Sequence, residues 1–486
     1  MSAFICLRGA KAAVTDPDVG WHLRTAEWIL AHHAVPHSDP FSRVTGGEPW
    51  QAYSWLFDLV LLKMYVWMKL RGLLVFTAGM MTLIAAAVYH MTSRLLSDFT
   101  QRALVTVAAM FCLAQLSTPR PWLFTILFFA LEIDILMHAR KTGRSRELLW
   151  LPALFVLWAN VHIQFVDGLL VLVIAAIEPL LRRWWKSDTP SVPARNLWLT
   201  LGACCVAVCL NPYGPAIYKI AWQMGSQRGV LDTVSEMMAL PFRTPGDFVL
   251  LFMALTAAGV LFRYRNLPPF ETLMLAMAAV LSFRSRRDMW VMAITAAAIL
   301  AAGLPVPAGR EDKSDQPGWA AMLSAASALA IFAASVFLLG INNGVLDKLV
   351  AEKLPVQAVE VVKQRHYDGP LFNTYDWGGF LIWNLREPVS IDGRAGLYGD
   401  KAINQSRDTW GGSATWDSDP ALESAGVVIA PHGAALTQLL RTDSRFELKY
   451  EDKVAAVFVS RKDPKATATS VAALNRIGSL TAAHRQ

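Results

Sequence analysis

Eleven apolar runs constrain this chain more than any other feature. They fall at about residues 52–68, 72–90, 103–116, 122–138, 148–163, 166–181, 197–211, 247–262, 268–283, 289–303 and 318–340, with short loops between them. A helix that crosses a bilayer needs roughly 17–25 apolar residues. Several runs fall near or below that length, so tilted and re-entrant segments are expected. Buried in lipid, such runs have one solution, helices that satisfy their own backbone polar groups. Composition agrees: 54% of the 486 residues are hydrophobic and 17% charged, with a mean hydropathy of +0.35, outside the range of soluble domains. The expected fold class is a polytopic α-helical membrane bundle of about 10–11 hydrophobic segments with a C-terminal α/β soluble domain. Its parts are residues 1–51, an acidic outer loop with an interfacial helix; 52–340, the transmembrane helical domain; 341–465, an extracytoplasmic α/β domain; and 466–486, a flexible tail rich in Ala, Thr and Ser.

The net charge of +7 and pI near 9.1 do not imply a nucleic-acid partner. Lys and Arg cluster in the loops between apolar runs, where they set topology. The strongest cytoplasmic candidates are Arg140, Lys141, Arg144 and Arg146, then Arg182, Arg183, Lys186 and Arg195. Counting crossings from them places 117–121, 160–167, 211–247 and 284–288 outside, together with the whole C-terminal domain. If 52–68 crosses fully, residues 1–51 lie on the opposite face from that domain. If it stays in the outer leaflet they share one, the arrangement favoured here. Residues 1–14 are too short to span a bilayer, so either a first helix precedes Met1 or the bundle delivers the acidic loop. Cys6, Cys112, Cys204, Cys205 and Cys209 show neither a disulfide framework nor metal-ligand spacing.

Polar residues stand out against this background. Asp16-Pro17-Asp18 precedes an amphipathic stretch, 21–35, that suits a helix in the headgroup region, with Trp21, Trp28 and Ile29 against Arg24, Glu27 and His32. An N-terminal cap would account for one of the two aspartates. His22 beside Trp21 is a headgroup or packing residue, or a proton relay, and Asp39 before Pro40 is a cap or turn residue. Arg284-Ser285-Arg286-Arg287 is basic on the outer side. Either a span is miscounted, or these guanidinium forks bind a phosphate. Asn160, His162, Gln164 and Asp167 form a solvated hairpin turn or line a cavity beneath the acidic loop. Asp232 and Glu236 are possible further carboxylates. Trp158, Trp184 and Trp185 read as interfacial anchors, and Glu132 and Asp134 as acids that snorkel to the inner surface.

In the C-terminal part, 356–365 reads as a helix, 370–373 as a strand, 375–383 as a glycine turn and helix, and 389–394 as a strand ending in a turn. Residues 426–431 read as a buried strand, 434–441 as a helix, and 446–450 with 455–460 as a hairpin. Asp392 and Arg394 are expected to pair and stiffen this domain.

The stretch from Asp16-Pro17-Asp18 through Pro36-His37-Ser38-Asp39-Pro40-Phe41-Ser42, with Asn373-Thr374-Tyr375-Asp376-Trp377-Gly378-Gly379 and Ile391-Asp392-Gly393-Arg394, resembles a bacterial branch of the GT-C superfamily of membrane glycosyltransferases. Tyr375-Asp376-Trp377-Gly378-Gly379 is loosely similar to the Trp-Trp-Asp-Tyr-Gly motif of oligosaccharyltransferase catalytic subunits. The resemblance implies sugar transfer from a polyprenyl-(di)phosphate donor to a glycan, lipid or protein acceptor on the extracytoplasmic face of the bacterial inner membrane. It implies catalytic roles for Asp16 and Asp18, donor-phosphate binding by Arg284, Arg286 and Arg287, and cavity or acceptor contacts from His22, Asn160, His162, Glu236, Tyr375, Asp376 and Trp377. A divalent metal, Mg or Mn, would be a possible cofactor, but residues 117–121 lack the carboxylate that many relatives place there. A transporter or flippase for a lipid-linked or anionic solute, and a non-catalytic scaffold, are the alternatives.

Overall fold

A computed structural model describes residues 9, 11–187, 192–226, 236–305 and 341–461. The apolar run at 318–340, Asp232, Cys6 and the tail at 466–486 lie outside the described residues. In chain order the helices are α1 (Val19–His32), α2 (Trp55–Met68), α3 (Leu70–Leu95), α4 (Phe99–Leu113), α5 (Trp122–Thr142), α6 (Leu151–Val161), α7 (Phe165–Trp185), α8 (Ala194–Val208) and α9 (Ala216–Ser226). They continue with α10 (Pro245–Leu261), α11 (Pro269–Arg284), α12 (Met289–Gly303), α13 (Asn343–Ala351), α14 (Val356–Arg365), α15 (Gly378–Leu385), α16 (Ala395–Trp410), α17 (Pro420–Glu423) and α18 (Ala435–Leu440). The strands are β1 (Leu371–Asn373), β2 (Val427–Pro431), β3 (Phe446–Glu451) and β4 (Ala455–Ser460).

The chain divides into two compact units. Among the described residues, the first takes those up to Ala13 together with those of Tyr53–Asn342; the second joins Val14–Ala52 to those from Asn343 onward. In the first unit each described apolar run forms a helix. Among the described residues, three stretches are long and apolar enough to cross a membrane: Leu70–Leu95, Phe99–Leu116 and Trp122–Thr142. At the centre is α12, buried on all sides from Met289 to Ala301, as a helix apolar all round must be. Its neighbour α10 starts at a reciprocal capping box between Thr244 and Asp247, which satisfies amides the helix leaves open. Arg140 and Lys141 sit in the last turn of α5, followed by Gly143 with φ of 71°; cations and a left-handed glycine both suit a helix C-terminus.

Three expectations for this unit need correction. Trp158 is no interfacial anchor: it is fully buried, and its indole N–H donates to Thr125 Oγ1 (2.9 Å). Glu132 does not snorkel but is fully buried in α5. Asp134 is paired with Arg94 (2.8 Å), a partner from α3 that sequence spacing cannot reveal.

The second unit carries the α/β domain. Its sheet has the order β1-β2-β4-β3. β1 runs parallel to β2, with Leu371 opposite Val427, and β4 pairs antiparallel with both β2 and β3. Phe372, Val428, Ala430, Ala456 and Phe458 form a core with Trp410, Leu422 and Leu436. Residues 389–394 are not a strand. Apart from a single bridge between Val389 and Ser42, they are held by side chains: Asn373 Nδ2 donates to the Ile391 carbonyl (2.7 Å), and the Ser390 amide donates to Asn373 Oδ1 (3.0 Å). The helix α16, which supplies Trp410 to the core, was not anticipated.

Candidate functional site

In the second unit the acidic stretch is docked by glycines. A Cβ on Gly20 would lie 2.1 Å from the Gly379 carbonyl oxygen, and one on Gly379 would lie 2.5 Å from that of Pro17. Hydrogen at both positions lets α1 and α15 cross with backbone in contact. Thus Trp377-Gly378-Gly379 closes on Asp16-Pro17-Asp18, two motifs some 360 positions apart in the sequence. Asp18 occupies the N-cap position of α1, yet its side chain makes no capping bond. It lies instead over Gly393, where a Cβ would come within 1.9 Å of Asp18 Oδ1. Asp16 Oδ1 accepts the Asp18 amide (3.1 Å), so the turn is shaped by the first carboxylate and leaves the second aimed at the 392–394 loop. His22 is buried and stacks on Trp21, with ring centroids 3.5 Å apart.

Beneath this loop is a buried ionic knot. Arg394 donates through Nε and Nη2 to the two oxygens of Asp392 (2.8 and 2.7 Å), and through Nη1 to Asp39 Oδ1 (2.7 Å). Its guanidinium also covers the Trp50 ring at 4.7 Å. Burial alone would lower the Arg394 pKa. The Asp392 charge and hydrogen bonds outweigh it, holding the group above its ordinary value. Tyr398 donates to Asp392 Oδ2 (2.6 Å), with its phenol pushed up first by burial and then by the Asp392 charge. The expected Asp392–Arg394 pair is therefore present, and Asp39, read from sequence as a turn residue, is its third member. Of the proposed acceptor residues, Tyr375 donates to the Gly393 carbonyl (3.1 Å), Trp377 is buried and Asp376 is exposed.

The first unit gathers the arginines and the 160–167 turn. Arg287 lies 5.5 Å over the Trp122 ring, and Arg120 lies 5.3 Å from the same ring. The Arg287 amide donates to the Glu236 carbonyl (2.9 Å) and the Arg286 amide to that of Met238 (2.8 Å), so Glu236 contributes backbone here while its residue stays exposed. Arg286 Nη2 is 3.5 Å from Gln115 Oε1, and Gln164 Nε2 donates to Asp288 Oδ1 (2.8 Å). Burial holds the Asp288 carboxyl above the usual range, with Arg287 pulling the other way. His162 Nε2 faces Arg287 Nη2 at 3.4 Å. Arg284 is exposed at the end of α11. Asn160 has other partners: it accepts from Trp55 Nε1 (2.9 Å) and donates to the Leu210 carbonyl (2.9 Å), clamping three segments.

Sequence reasoning missed Arg120, Trp122, Thr125 and Gln115. Arg120 stands in the short loop 117–121 and Trp122 opens an apolar run, and neither carries a local pattern that marks a site. Among the described residues, no group of three or more His, Cys, Asp or Glu side chains converges as a metal ion would require. Asp16 and Asp18 supply two carboxylates, and the neighbouring His22 imidazole is packed on Trp21; this donor set does not fit a metal on its own.

No family model and no curated protein sequence matches the chain. Solved structures do. The Archaeoglobus fulgidus oligosaccharyltransferase, tethered to an acceptor peptide containing the NVT sequon, matches at a TM-score of 0.51 and 12% identity, covering 94% of this chain and 73% of its own. ArnT from Cupriavidus metallidurans bound to undecaprenyl phosphate matches at 0.48 and 11%, covering 94% and 96%; its apo form matches at 0.46 and 12% over the same shares.

Proposed function

From the premise that the chain has the GT-C fold, we propose that it is an integral membrane glycosyltransferase that moves a sugar from a polyprenyl-(di)phosphate donor to an acceptor on the extracytoplasmic face. The observation that carries this reading is the Arg287 environment. Its Nε is buried with no hydrogen-bond partner among the described residues, its face rests on Trp122, and Arg120 and Arg286 stand nearby. A buried unpaired donor is costly, and a planar guanidinium fork matches phosphate oxygens. The chemistry assigned to this group is neutralising the leaving phosphate, where negative charge grows in the transition state.

The acceptor's O–H or N–H attacks the sugar anomeric carbon. The bond from that carbon to the phosphate oxygen breaks, its electron pair leaves with the polyprenyl phosphate, and the proton passes to a carboxylate. We assign that carboxylate to Asp16 or Asp18, the other orienting the nucleophile; general-base assistance of this kind contributes on the order of 10²–10⁴. No step is routed through a metal. Asp376 is the exposed side chain of its motif and is assigned to the acceptor, while Tyr375 and Trp377 shape the loop around Gly393.

The test is to replace Asp16 and Asp18 singly by Asn and Arg287 by Ala, and to measure both sugar transfer and binding of tritiated undecaprenyl phosphate by the purified full chain. The reading expects the Asp variants to bind the lipid normally and to lose transfer, and Arg287→Ala to bind it more weakly but measurably, since Arg120 and Arg286 remain. Normal glycan output from every variant would support the scaffold alternative instead. Net movement of the lipid between leaflets without transfer would support the transporter.

A further inference from the structure

The hydrogen bonds of His162 describe a specific task. The side chain is buried, and both ring nitrogens face specific partners: Nδ1 lies 2.8 Å from Thr125 Oγ1, and Nε2 lies 3.4 Å from Arg287 Nη2. A guanidinium has donors only. For the Arg287 contact to be a hydrogen bond, Nε2 must carry a lone pair, so the proton sits on Nδ1 and is donated to Thr125 Oγ1. That hydroxyl oxygen also accepts the indole N–H of the fully buried Trp158 (2.9 Å), which fills its two acceptor positions. The result is a directional relay, Trp158 and Nδ1–H both donating to Thr125, and Arg287 donating to Nε2. Trp122 beneath the guanidinium plane and the Glu236 carbonyl on the Arg287 amide fix the remaining degrees of freedom.

We infer that His162 is a positioning residue for Arg287: as a neutral Nδ1–H imidazole it accepts one guanidinium N–H and thereby turns Nε and the remaining N–H groups toward the donor phosphate. The inference rests on the phosphate-binding role proposed for Arg287. Carboxylate in place of imidazole would pair with the guanidinium and compete with phosphate. The carboxylates of Asp288 and Asp167 already lie within electrostatic range of Arg287; a neutral acceptor at 162 orients the guanidinium without adding a third anion to compete with phosphate.

Asparagine and glutamine separate the two contacts. A glutamine amide reaches the place of Nε2, whereas an asparagine amide reaches only that of Nδ1. In the purified full chain, affinity for tritiated undecaprenyl phosphate is expected to fall about tenfold in His162→Asn and to stay within about threefold of the parent in His162→Gln, magnitudes typical of one hydrogen bond to a charged group. In an Arg287→Ala background, His162→Asn is expected to cause no further loss, since the two act on one interaction. Equal losses in the Asn and Gln variants, or an undiminished loss from His162→Asn when Arg287 is already absent, would overturn the positioning role. Unchanged binding in Arg287→Ala alone would overturn the phosphate reading and this inference with it, so the two failures are distinguishable. Thermal unfolding of each variant identifies any that misfolds, and the Gln variant, which keeps the polar group, carries the decision if Asn does not fold.

Discussion

At the scale of single residues, the second unit turns on Asp18, Gly393 and Arg394. Because the atom a Gly393 Cβ would strike is a carboxylate oxygen 1.9 Å away, Gly393→Ala should displace the Asp18 side chain while leaving the backbone in place. The expected outcome is a folded protein with near-parent unfolding temperature and transfer activity reduced on the order of 10²-fold, the cost of misplacing a catalytic group by about 1 Å; kinetics beside a thermal melt checks it. Arg394→Ala acts in the opposite sense. It strands Asp39 and Asp392 as buried unpaired charges and should cost about 3–5 kcal/mol, seen as loss of folded protein in denaturant titration. Arg394→Lys should recover only part, since an ammonium cannot serve both oxygens of Asp392 and also Asp39. The Asp392–Arg394 pair was legible in the sequence because its members are two positions apart. Asp39 was not, because its partner lies 355 residues on, and local chemistry before a proline already explained it: Asp39 Oδ1 does accept the Phe41 amide (2.9 Å).

At the scale of elements, α1 carries the acidic stretch and owes its seat to glycine. Gly20→Val would drive a branched side chain into the Gly379 carbonyl, for which no rotamer change compensates. The expected outcome is that α1 undocks and residues 15–50 become sensitive to limited proteolysis, while the described transmembrane helices keep their far-ultraviolet circular dichroism. The turn between α6 and α7 depends on Asn160. Asn160→Ala leaves the Trp55 indole N–H and the Leu210 carbonyl without their partner and should cost about 1–3 kcal/mol, measured by thermal unfolding in detergent. Helices of the first unit were legible from their apolar runs. The strand expected at 389–394 does not form because Asn373 and Ser390 satisfy its backbone by side-chain bonds, and α16 was not legible because its sequence is polar on the whole and is interrupted at Gly399, which is non-helical with φ of 68°, before Trp410 closes it over the sheet.

At the scale of the whole molecule, the expected architecture stands: a polytopic helical bundle with a C-terminal α/β domain, sharing its fold with the Archaeoglobus fulgidus oligosaccharyltransferase. What composition could not show is the division of the chain, in which residues 14–52 belong with the C-terminal domain although some 290 residues separate them. A chain contact of that range leaves no periodic trace; it is recorded in the paired glycines at 20 and 379, the bridge from Ser42 to Val389 and the ion pairs of Arg394 with Asp39 and Arg386 with Glu27. The central claim is that the carboxylates of this unit serve sugar transfer from a lipid-linked donor. It is tested most directly in membranes holding the full chain or its Asp16→Asn/Asp18→Asn double variant, supplied with a panel of polyprenyl-phosphate sugars radiolabelled in the sugar. The account predicts that, for one donor, label leaves the lipid fraction and enters an acceptor with the parent chain and stays lipid-linked with the double variant. Label that leaves equally in both, or in neither for any donor of the panel, would contradict it.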